Sequence, residues 1–338
     1  MVDYRALAEC VLDGYLLSPE EGLALLGAPD NNICEILEAS FRIRQKYFGR
    51  LVRLHVLMNA KSGMCPEDCG YCSQSAVSTA QIDRYPLLSQ ERLVEGALRA
   101  VNARALRYCI VISARGPTEG EVDAICKAVK EIRERTSLEI CCSLGLLTIE
   151  QARRLKQAGV VRINHNLNTS ERYYEEICST HTYRDRVETI RVVQRAELAT
   201  CSGVLAGMGE QDLDLVNLGL ALNQLDVDSI PINFLNPIAG TPLENVHHLS
   251  PQRCLKILCL FRFLNPTKEI KVGGGRELHL GKLQALMLYP ANSIFVGGYL
   301  TTPGQASEEA IQMIERHGFE VEERIGQHRD QSSTISRL

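Results

Sequence analysis

Three closely spaced cysteines are the residues of this sequence best suited to metal chemistry. Cys65, Cys69 and Cys72 follow the spacing C-x3-C-x2-C. Three thiolates on one short loop can hold three irons of a [4Fe-4S] cluster, which leaves the fourth iron free to chelate the amino and carboxylate groups of a small molecule. The alternative is a zinc site. Zinc loops, however, favour C-x2-C with a distant second pair or histidines, and the sequence has no second C-x2-C.

The residues from Lys61 to Ser75 extend this motif in both directions. They resemble the signature of the biotin synthases, a family of radical S-adenosylmethionine (SAM) enzymes. Other segments are similar to the same family, in the same order, over about residues 40–317: Arg107–Cys109, Leu138–Cys141, Asn164–Leu167, Thr200–Gly203, Pro231–Asn233 and Ala291–Pro303. The cysteine spacing alone specifies only the superfamily, whereas the ordered set specifies the family.

The resemblance implies an enzyme that inserts sulfur into dethiobiotin to form biotin. Cys65, Cys69 and Cys72 would hold the [4Fe-4S] cluster with SAM on its open iron, and an auxiliary iron–sulfur cluster would supply the sulfur. No side chain is expected to act as a catalytic acid or base, because the cofactors carry the radical chemistry. The implied partners are an electron donor of the flavodoxin or ferredoxin type, iron–sulfur assembly proteins and a second copy of the chain in a homodimer.

The same resemblance assigns binding residues. Those expected to bind SAM are Tyr71, Asn164, Asn166, Asn168, Arg186, Gly203 and Val204. Those expected to bind the substrate are Asn164, Asn166, Asn233, Thr301 and Thr302. Asn168 stands where the family usually has an aspartate, so it would accept a hydrogen bond but carry no charge. Ordinary roles remain open for several of these residues, such as a strand-end turn at Asn164 to Asn168 and a helix-surface ion pair for Arg186.

The expected auxiliary site departs from the family at one ligand. Cys109, Cys141 and Cys201 correspond to the three cysteine ligands of the family's auxiliary [2Fe-2S] cluster. The fourth ligand of that cluster is an arginine, and the corresponding residue here is Lys271. A lysine amine binds iron only when it is deprotonated, which requires a large drop from its usual pKa of about 10.4.

Cys142 adds a second thiol next to Cys141. Adjacent residues of a strand point to opposite faces, so Cys142 is expected to face the helices unless a bulge redirects it. The extra thiol of Cys142 and the replacement of the family's arginine by Lys271 together favour an auxiliary cluster of four irons, held by three cysteines and a non-protein sulfide. A [2Fe-2S] cluster stays the alternative, with Cys142 or Lys271 as further ligands.

The elements that must position these residues alternate between strand and helix. Eight strands are predicted at Leu51–Met58, Leu106–Ser113, Leu138–Ser143, Val160–Asn164, Ala199–Leu205, Ser229–Phe234, Glu269–Val272 and Asn292–Val296. This alternation predicts an α/β fold, a TIM-type (β/α)8 barrel, with a doubly wound open sheet as the alternative. Residues 1–50 are predicted to form an N-terminal helical segment, 51–317 the barrel, and 318–338 a polar tail that is partly disordered.

Composition excludes several classes of function. A net charge of −4 and a pI near 6.1 give no basic surface for nucleic acid or an anionic membrane. Thirteen cysteines in a chain whose start lacks the pattern of a secretory signal are expected in reducing cytoplasm. Two alternatives remain: another radical SAM barrel with an auxiliary cluster, such as a hydrogenase-maturation type, and a non-catalytic iron–sulfur sensor.

Overall fold

A closed barrel of parallel strands forms the centre of the computed structural model, which describes residues 2–323. In chain order, strands β1 to β9 are Leu51–Lys61, Arg107–Ile112, Glu139–Ser143, Val160–Asn164, Ala199–Cys201, Val204–Ala206, Ser229–Phe234, Glu269–Val272 and Ser293–Phe295. Consecutive strands pair in parallel, except that β5 and β6 both pair with β7, and β1 pairs with both β2 and β9, which closes the barrel. The predicted (β/α)8 barrel is confirmed, and the open sheet is excluded.

One of the eight strand positions around the barrel, which we call staves, is filled by two short strands. The sequence predicts a single strand over 199–205, but β5 ends at Cys201 and β6 begins at Val204. Gly203 lies so close to β7 that a Cβ atom on it would be 1.9 Å from the carbonyl oxygen of Pro231. Because Pro231 has no N–H to donate, the ladder is interrupted at this point. Both strands nevertheless pair with β7, so the barrel keeps eight staves.

Three helices precede the barrel: α1 (Tyr4–Leu12), α2 (Pro19–Leu26) and α3 (Ile33–Phe48). A capping box begins α2, since Ser18 and Glu21 each accept a hydrogen bond from the other's backbone N–H. Arg44 of α3 fixes this segment to the barrel. Its buried guanidinium donates to the carbonyl oxygens of Ala291 (3.0 Å) and Leu51 (2.8 Å).

The remaining helices surround the barrel. They are α4 (Gln90–Asn102), α5 (Glu119–Arg135), α6 (Ile149–Ala158), α7 (Tyr183–Arg195), α8 (Asp212–Gln224), α9 (Pro251–Leu264), α10 (Arg276–Leu280) and α11 (Ser307–Arg316). Most apolar side chains pack between these helices and the outer face of the strands. The lumen holds polar and sulfur-containing residues together with some apolar ones such as Leu57 and Phe295, at the end of the barrel where barrel enzymes place their sites. None of the helices within residues 2–323 has the length and apolar composition needed to cross a membrane.

A last short strand, β10 (Glu320–Val321), pairs in parallel with the start of β1 at Leu51 and Val52. It falls inside the segment 318–338 that the sequence predicts as a polar, partly disordered tail. The greater part of that predicted tail, residues 324–338, lies outside the described residues.

Candidate metal centre

The loop after β1 carries the three cysteines to the carboxyl end of the barrel. Cys65, Cys69 and Cys72 line one cavity of about 220 Å³, and all three are free thiols. Burial raises the pKa of Cys72 to about 11 and also raises that of Cys65. A bound metal would therefore have to displace these protons. Three cysteines that line one cavity fit a [4Fe-4S] cluster with one iron free for a small ligand.

Two acidic residues between the cysteines fix the loop to the segment 178–181. The carboxylate of Asp68 accepts hydrogen bonds from the backbone N–H groups of Ser179 (3.0 Å) and Thr180 (3.2 Å). Glu67 contacts the ring of His181 and accepts a hydrogen bond from Arg115 (3.1 Å). These contacts fix the backbone between Cys65 and Cys69, and those of Glu67 lie at the wall of the same cavity, which Arg115 and His181 also line.

Several residues predicted to bind SAM surround the same cavity. Asn168 has a positive φ of 70° and donates a hydrogen bond to the hydroxyl of Tyr71 (2.7 Å). Arg186 donates to the carbonyl oxygen of Asn166 (2.8 Å) and lies 2.8 Å from the ring of His181. The hydrogen-bond partners of Arg186 within residues 2–323 are Tyr174, Asn166 and His181, and none of them is a carboxylate. The surface ion pair considered for Arg186 is therefore absent from this part of the chain. Its charge is available to an anionic ligand.

Gly203 and Val204 are placed differently from the other predicted SAM residues. Their backbone pairs with Asn168, whose N–H donates to the carbonyl oxygen of Gly203 (2.9 Å). The side chain of Val204 is buried in the apolar core. Leu205, which the sequence interpretation does not assign, lines the second cavity instead. A role for Gly203 and Val204 in binding SAM would therefore be a backbone role and stays a prediction.

A second cavity, of about 300 Å³, adjoins the first and shares Cys72, Asn164 and Asn166 with it. It is also lined by Asn233, Thr301, Thr302 and Cys109. The hydroxyl of Thr301 lies 2.8 Å from that of Ser73, next to the cysteine loop. All five residues predicted to bind the substrate thus face one space.

Deeper in the barrel, the strand register brings the predicted auxiliary ligands together. Cys109 pairs with Cys141 across β2 and β3, and Asn164 pairs with Cys201 across β4 and β5. A hydrogen bond from Cys109, together with the nearby positive charges, lowers the pKa of Cys141, so the pair readily holds one thiolate. The side-chain amide of Asn164 donates to Cys201 (3.2 Å).

Cys142 and Lys271 occupy opposite environments. Cys142 is fully buried in the apolar layer between the strands and the outer helices, on the same face as Ile140. The register shift at Cys141 does not bring it into the lumen. Lys271 points inward, and its Nζ lies 3.8 Å from the sulfur of Cys201 and 3.6 Å from Glu269.

Beneath the auxiliary cysteines lies a buried charged group that we call the Glu269 network; it consists of Arg53, His55, Arg107, Arg162, Glu269 and Lys271. The carboxylate of Glu269 lies 3.3 Å from Arg107 and 3.1 Å from Arg162. Burial alone would raise the pKa of Glu269, but Lys271, Arg107 and Arg162 outweigh it and hold that pKa well below its usual range.

The sequence interpretation missed the Glu269 network, although a signal was present. Side chains two residues apart on a strand share a face. Arg107 precedes Cys109 by two residues, Arg162 precedes Asn164, and Glu269 precedes Lys271. Each therefore belongs to the lumen layer below the predicted ligand. The segment 178–181, which supports the loop, gave no such signal, because it is more than 100 residues from Cys69 in sequence.

Comparison with known proteins agrees with this geometry. Residues 61–219 match the Radical SAM superfamily, and residues 231–320 match the Biotin and Thiamin Synthesis associated domain. Together with the barrel and the three-cysteine loop, the first match defines a radical SAM enzyme.

Comparison with curated relatives identifies the family within the radical SAM enzymes. A biotin synthase of Lysinibacillus sphaericus (strain C3-41) is 52% identical over 321 residues, which is 95% of this chain and 97% of the relative. The biotin synthase of Geobacillus thermodenitrificans (strain NG80-2) is 52% identical over 322 residues, with the same coverage of both chains. The chain belongs to the biotin synthase family.

Solved structures of distant relatives share the fold. A methylornithine synthase superposes with a TM-score of 0.82 at 19% identity, covering 94% of this chain and 97% of the other. The FeFe-hydrogenase maturase HydG from Carboxydothermus hydrogenoformans gives a TM-score of 0.79 at 16% identity, covering 94% and 78%. At these identities the likeness concerns the barrel and not the reaction.

Replacing Glu269 by glutamine should destabilise the protein strongly. The change leaves Arg107, Arg162 and Lys271 buried without their shared carboxylate, and breaking a buried ion pair in this way costs about 3–5 kcal/mol. Urea unfolding of the iron-free chain measures the loss. Glu150→Gln, at an exposed position of α6, is the matched control and should change the free energy of unfolding by less than about 0.5 kcal/mol. Equal unfolding midpoints for the two variants would contradict the role given to Glu269.

Proposed function

We propose that this enzyme forms biotin from dethiobiotin by radical SAM sulfur insertion. The observation that carries the proposal is the second cavity, which is lined by Cys72 of the loop at one side and by Cys109 of the barrel at the other. A substrate in this space would contact both the radical source and the sulfur source. The family assignment, with about 52% identity over 95% of the chain, favours this function over the hydrogenase-maturation and sensor alternatives.

The bound cofactors supply the chemistry that no side chain can perform: a reduced [4Fe-4S] cluster with SAM provides a carbon-centred radical able to abstract hydrogen from an unactivated C–H bond, and the auxiliary cluster provides sulfur. The protein binds and orients SAM and the substrate, and it excludes water from them. Cys65, Cys69 and Cys72 hold the first cluster in this proposal, and the contacts of Glu67 and Asp68 keep their loop in position.

Binding of SAM would use the residues around the first cavity. Arg186 suits the SAM carboxylate, because its guanidinium is fixed by Asn166 and keeps an uncompensated charge. Asn168 and Tyr71 form a hydrogen-bonded pair at the cavity wall that can position the ribose. The backbone of Gly203 and Val204 would lie against the adenine.

The substrate would occupy the second cavity. Asn164, Asn166 and Asn233 offer amide donors and acceptors that suit the ureido ring, whose groups have the same character. The side chain of Asn233 is already oriented, since its Oδ1 accepts a hydrogen bond from the backbone of Gly274 (2.9 Å). Thr301 and Thr302 lie at the mouth and would receive the carboxylate tail.

Cys109, Cys141 and Cys201 would bind the auxiliary cluster, which we propose to contain four irons and an additional sulfide. Lys271 then acts as a charged hydrogen-bond donor to sulfur. Its Nζ already points at the sulfur of Cys201 from 3.8 Å. The apolar position of Cys142 supports a role in packing.

The proposal also includes the partners and the location implied by the resemblance. An electron donor of the flavodoxin or ferredoxin type would reduce the first cluster, and iron–sulfur assembly proteins would rebuild the auxiliary one. The chain would act as a cytoplasmic homodimer.

The anaerobically reconstituted chain should release 5′-deoxyadenosine from SAM, and the release should rise when dethiobiotin is added. Cys65→Ala, Cys69→Ala and Cys72→Ala should each abolish it. Each thiolate holds one iron, and losing a direct ligand should exceed the ~10–100-fold loss typical of a change in a ligand's supporting contacts. The measurement is chromatography of 5′-deoxyadenosine. Cys254→Ala, a buried thiol of α9, is the control; undiminished cleavage by any loop variant would refute the assignment.

Loss of an auxiliary ligand should separate the two halves of the reaction. Cys109→Ala and Cys201→Ala should fail to form biotin yet still cleave SAM, because they alter the sulfur source and leave the Cys65 loop intact. Biotin and 5′-deoxyadenosine are measured in the same reaction. Cys142→Ala is the matched control, since this thiol lies on the opposite face of the neighbouring strand. Normal biotin yields from both lumen variants would place the sulfur source elsewhere.

Iron counting distinguishes the two forms of the auxiliary cluster. The reconstituted chain should bind about eight irons, as two four-iron clusters require, whereas a [2Fe-2S] auxiliary cluster gives about six. Mössbauer spectroscopy reports the cluster types in the same sample. A chain with six irons and a nitrogen of Lys271 bonded to iron is the result that this proposal forbids.

A further inference from the structure

A thiol that the proposed reaction does not use lies against one of the loop cysteines. The sulfur of Cys178 is 3.7 Å from the sulfur of Cys69 and 3.2 Å from Nδ1 of His181. All three side chains are buried, and their donor atoms lie within 4.8 Å of one another. The contact joins the loop after β1 to the segment before α7.

The spacing of these atoms is close to that of a tetrahedral zinc site. With Zn–S bonds of ~2.3 Å and Zn–N bonds of ~2.0–2.1 Å, two thiolates lie about 3.8 Å apart and a thiolate and an imidazole about 3.6 Å apart. The observed distances differ from these by a few tenths of an ångström. Two sulfur atoms and one imidazole suit Zn²⁺, whereas Mg²⁺ and Ca²⁺ prefer oxygen ligands.

The surroundings complete the site. Nε2 of His181 lies 2.9 Å from the hydroxyl of Tyr174 and 2.8 Å from the guanidinium of Arg186. With zinc on Nδ1, Nε2 carries the proton and donates it to the hydroxyl oxygen of Tyr174, which is the second hydrogen bond that orients a metal-binding imidazole, and Arg186 keeps only its other partners. A carboxylate for the fourth position is available on either side, since Asp68 lies 3.2 Å from the sulfur of Cys178 and Glu67 contacts Nδ1 of His181.

An entry path reaches these residues from outside. A cavity of about 620 Å³ is lined by Cys178 and His181 and by the acidic residues Glu171 and Glu175. Cys178 lines neither of the two cavities assigned to SAM and substrate, whereas His181 also borders the first of them, so the ring of His181 lies between the two spaces. Arg184 also lines the cavity and pairs with Glu171 (3.4 Å), so Glu175 is the acidic residue of the wall that is left to attract a divalent cation.

We propose that the chain, before its first cluster is assembled, binds one Zn²⁺ through Cys69, Cys178 and His181. The zinc ion and the [4Fe-4S] cluster exclude each other, because each needs the sulfur of Cys69; this second statement rests on the proposed function. Zinc in this position holds the loop closed without iron, and it must leave before the cluster is built.

The test uses the full-length chain freed of iron and sulfide under anaerobic conditions. Co²⁺ is the optical probe, because a tetrahedral cobalt thiolate site absorbs visible light, and titration with Zn²⁺ then displaces it. Wild type should bind one ion. Cys178→Ala and His181→Gln should each bind it at least about 100-fold more weakly, since even supporting contacts contribute ~10–100-fold to metal affinity. Cys126→Ala, a half-buried thiol on α5, should match wild type.

Two results overturn the proposal. One is the absence of cobalt thiolate absorption in wild type. The other is unchanged affinity in Cys178→Ala and His181→Gln with loss in Cys65→Ala and Cys72→Ala, which would show that the three-cysteine loop alone binds zinc. Circular dichroism confirms that each variant keeps its helical content.

A second measurement tests the exclusion. One equivalent of Zn²⁺ added before iron and sulfide should suppress [4Fe-4S] formation in wild type and should not do so in Cys178→Ala. Equal suppression in both would refute exclusion at this site. If wild type forms no cluster even without zinc, the proposed role of the loop fails, while the cobalt titration still reports on the zinc site.

Discussion

The barrel depends on one buried carboxylate. Glu269 lies under the auxiliary cysteines and within ion-pair distance of Arg107, Arg162 and Lys271, so one negative charge is shared by several cations. Arg107 has a further partner in Glu139. The balance at this level of the lumen stays positive, which stabilises thiolates directly above it. The interior is therefore charged before any cofactor binds, and Glu269 limits the repulsion among the cations that make it so.

The loop of the first cluster is held by a different arrangement. It needs ordered backbone around three sulfur atoms and an open space on one side. Glu67 and Asp68 meet this need from within the C-x3-C-x2-C spacing, because their carboxylates contact residues 178–181. The cysteines and the carboxylates that anchor their loop thus lie on one short segment of the chain.

Much of the fold could be predicted from the sequence, because the helix caps and strand runs are local signals. The capping box at Ser18 and the outward face of Cys142 follow from spacing alone. The division of one stave at Gly203 could not be predicted, since it depends on contact with Pro231 from the next strand. Pairing among Arg107, Arg162 and Glu269 likewise requires the strand register, and the contact of Cys178 with Cys69 joins segments that only the folded chain brings together.

Closure of the barrel by β1 and β9 has a consequence for how the protein is made. Arg53 of β1 pairs with Ser293 of β9, so 240 more residues must be synthesised after Arg53 before the strand that closes the barrel exists. At ribosomal rates of ~5–20 residues per second, this wait lasts roughly 10–50 s. During that interval the strands bearing Cys109, Cys141 and Cys201 have been synthesised while the lumen still has an open side. Nascent chains thus pass through a period in which the deepest thiols are accessible to metal, oxidant or assembly factor, and that access ends when the last stave is added.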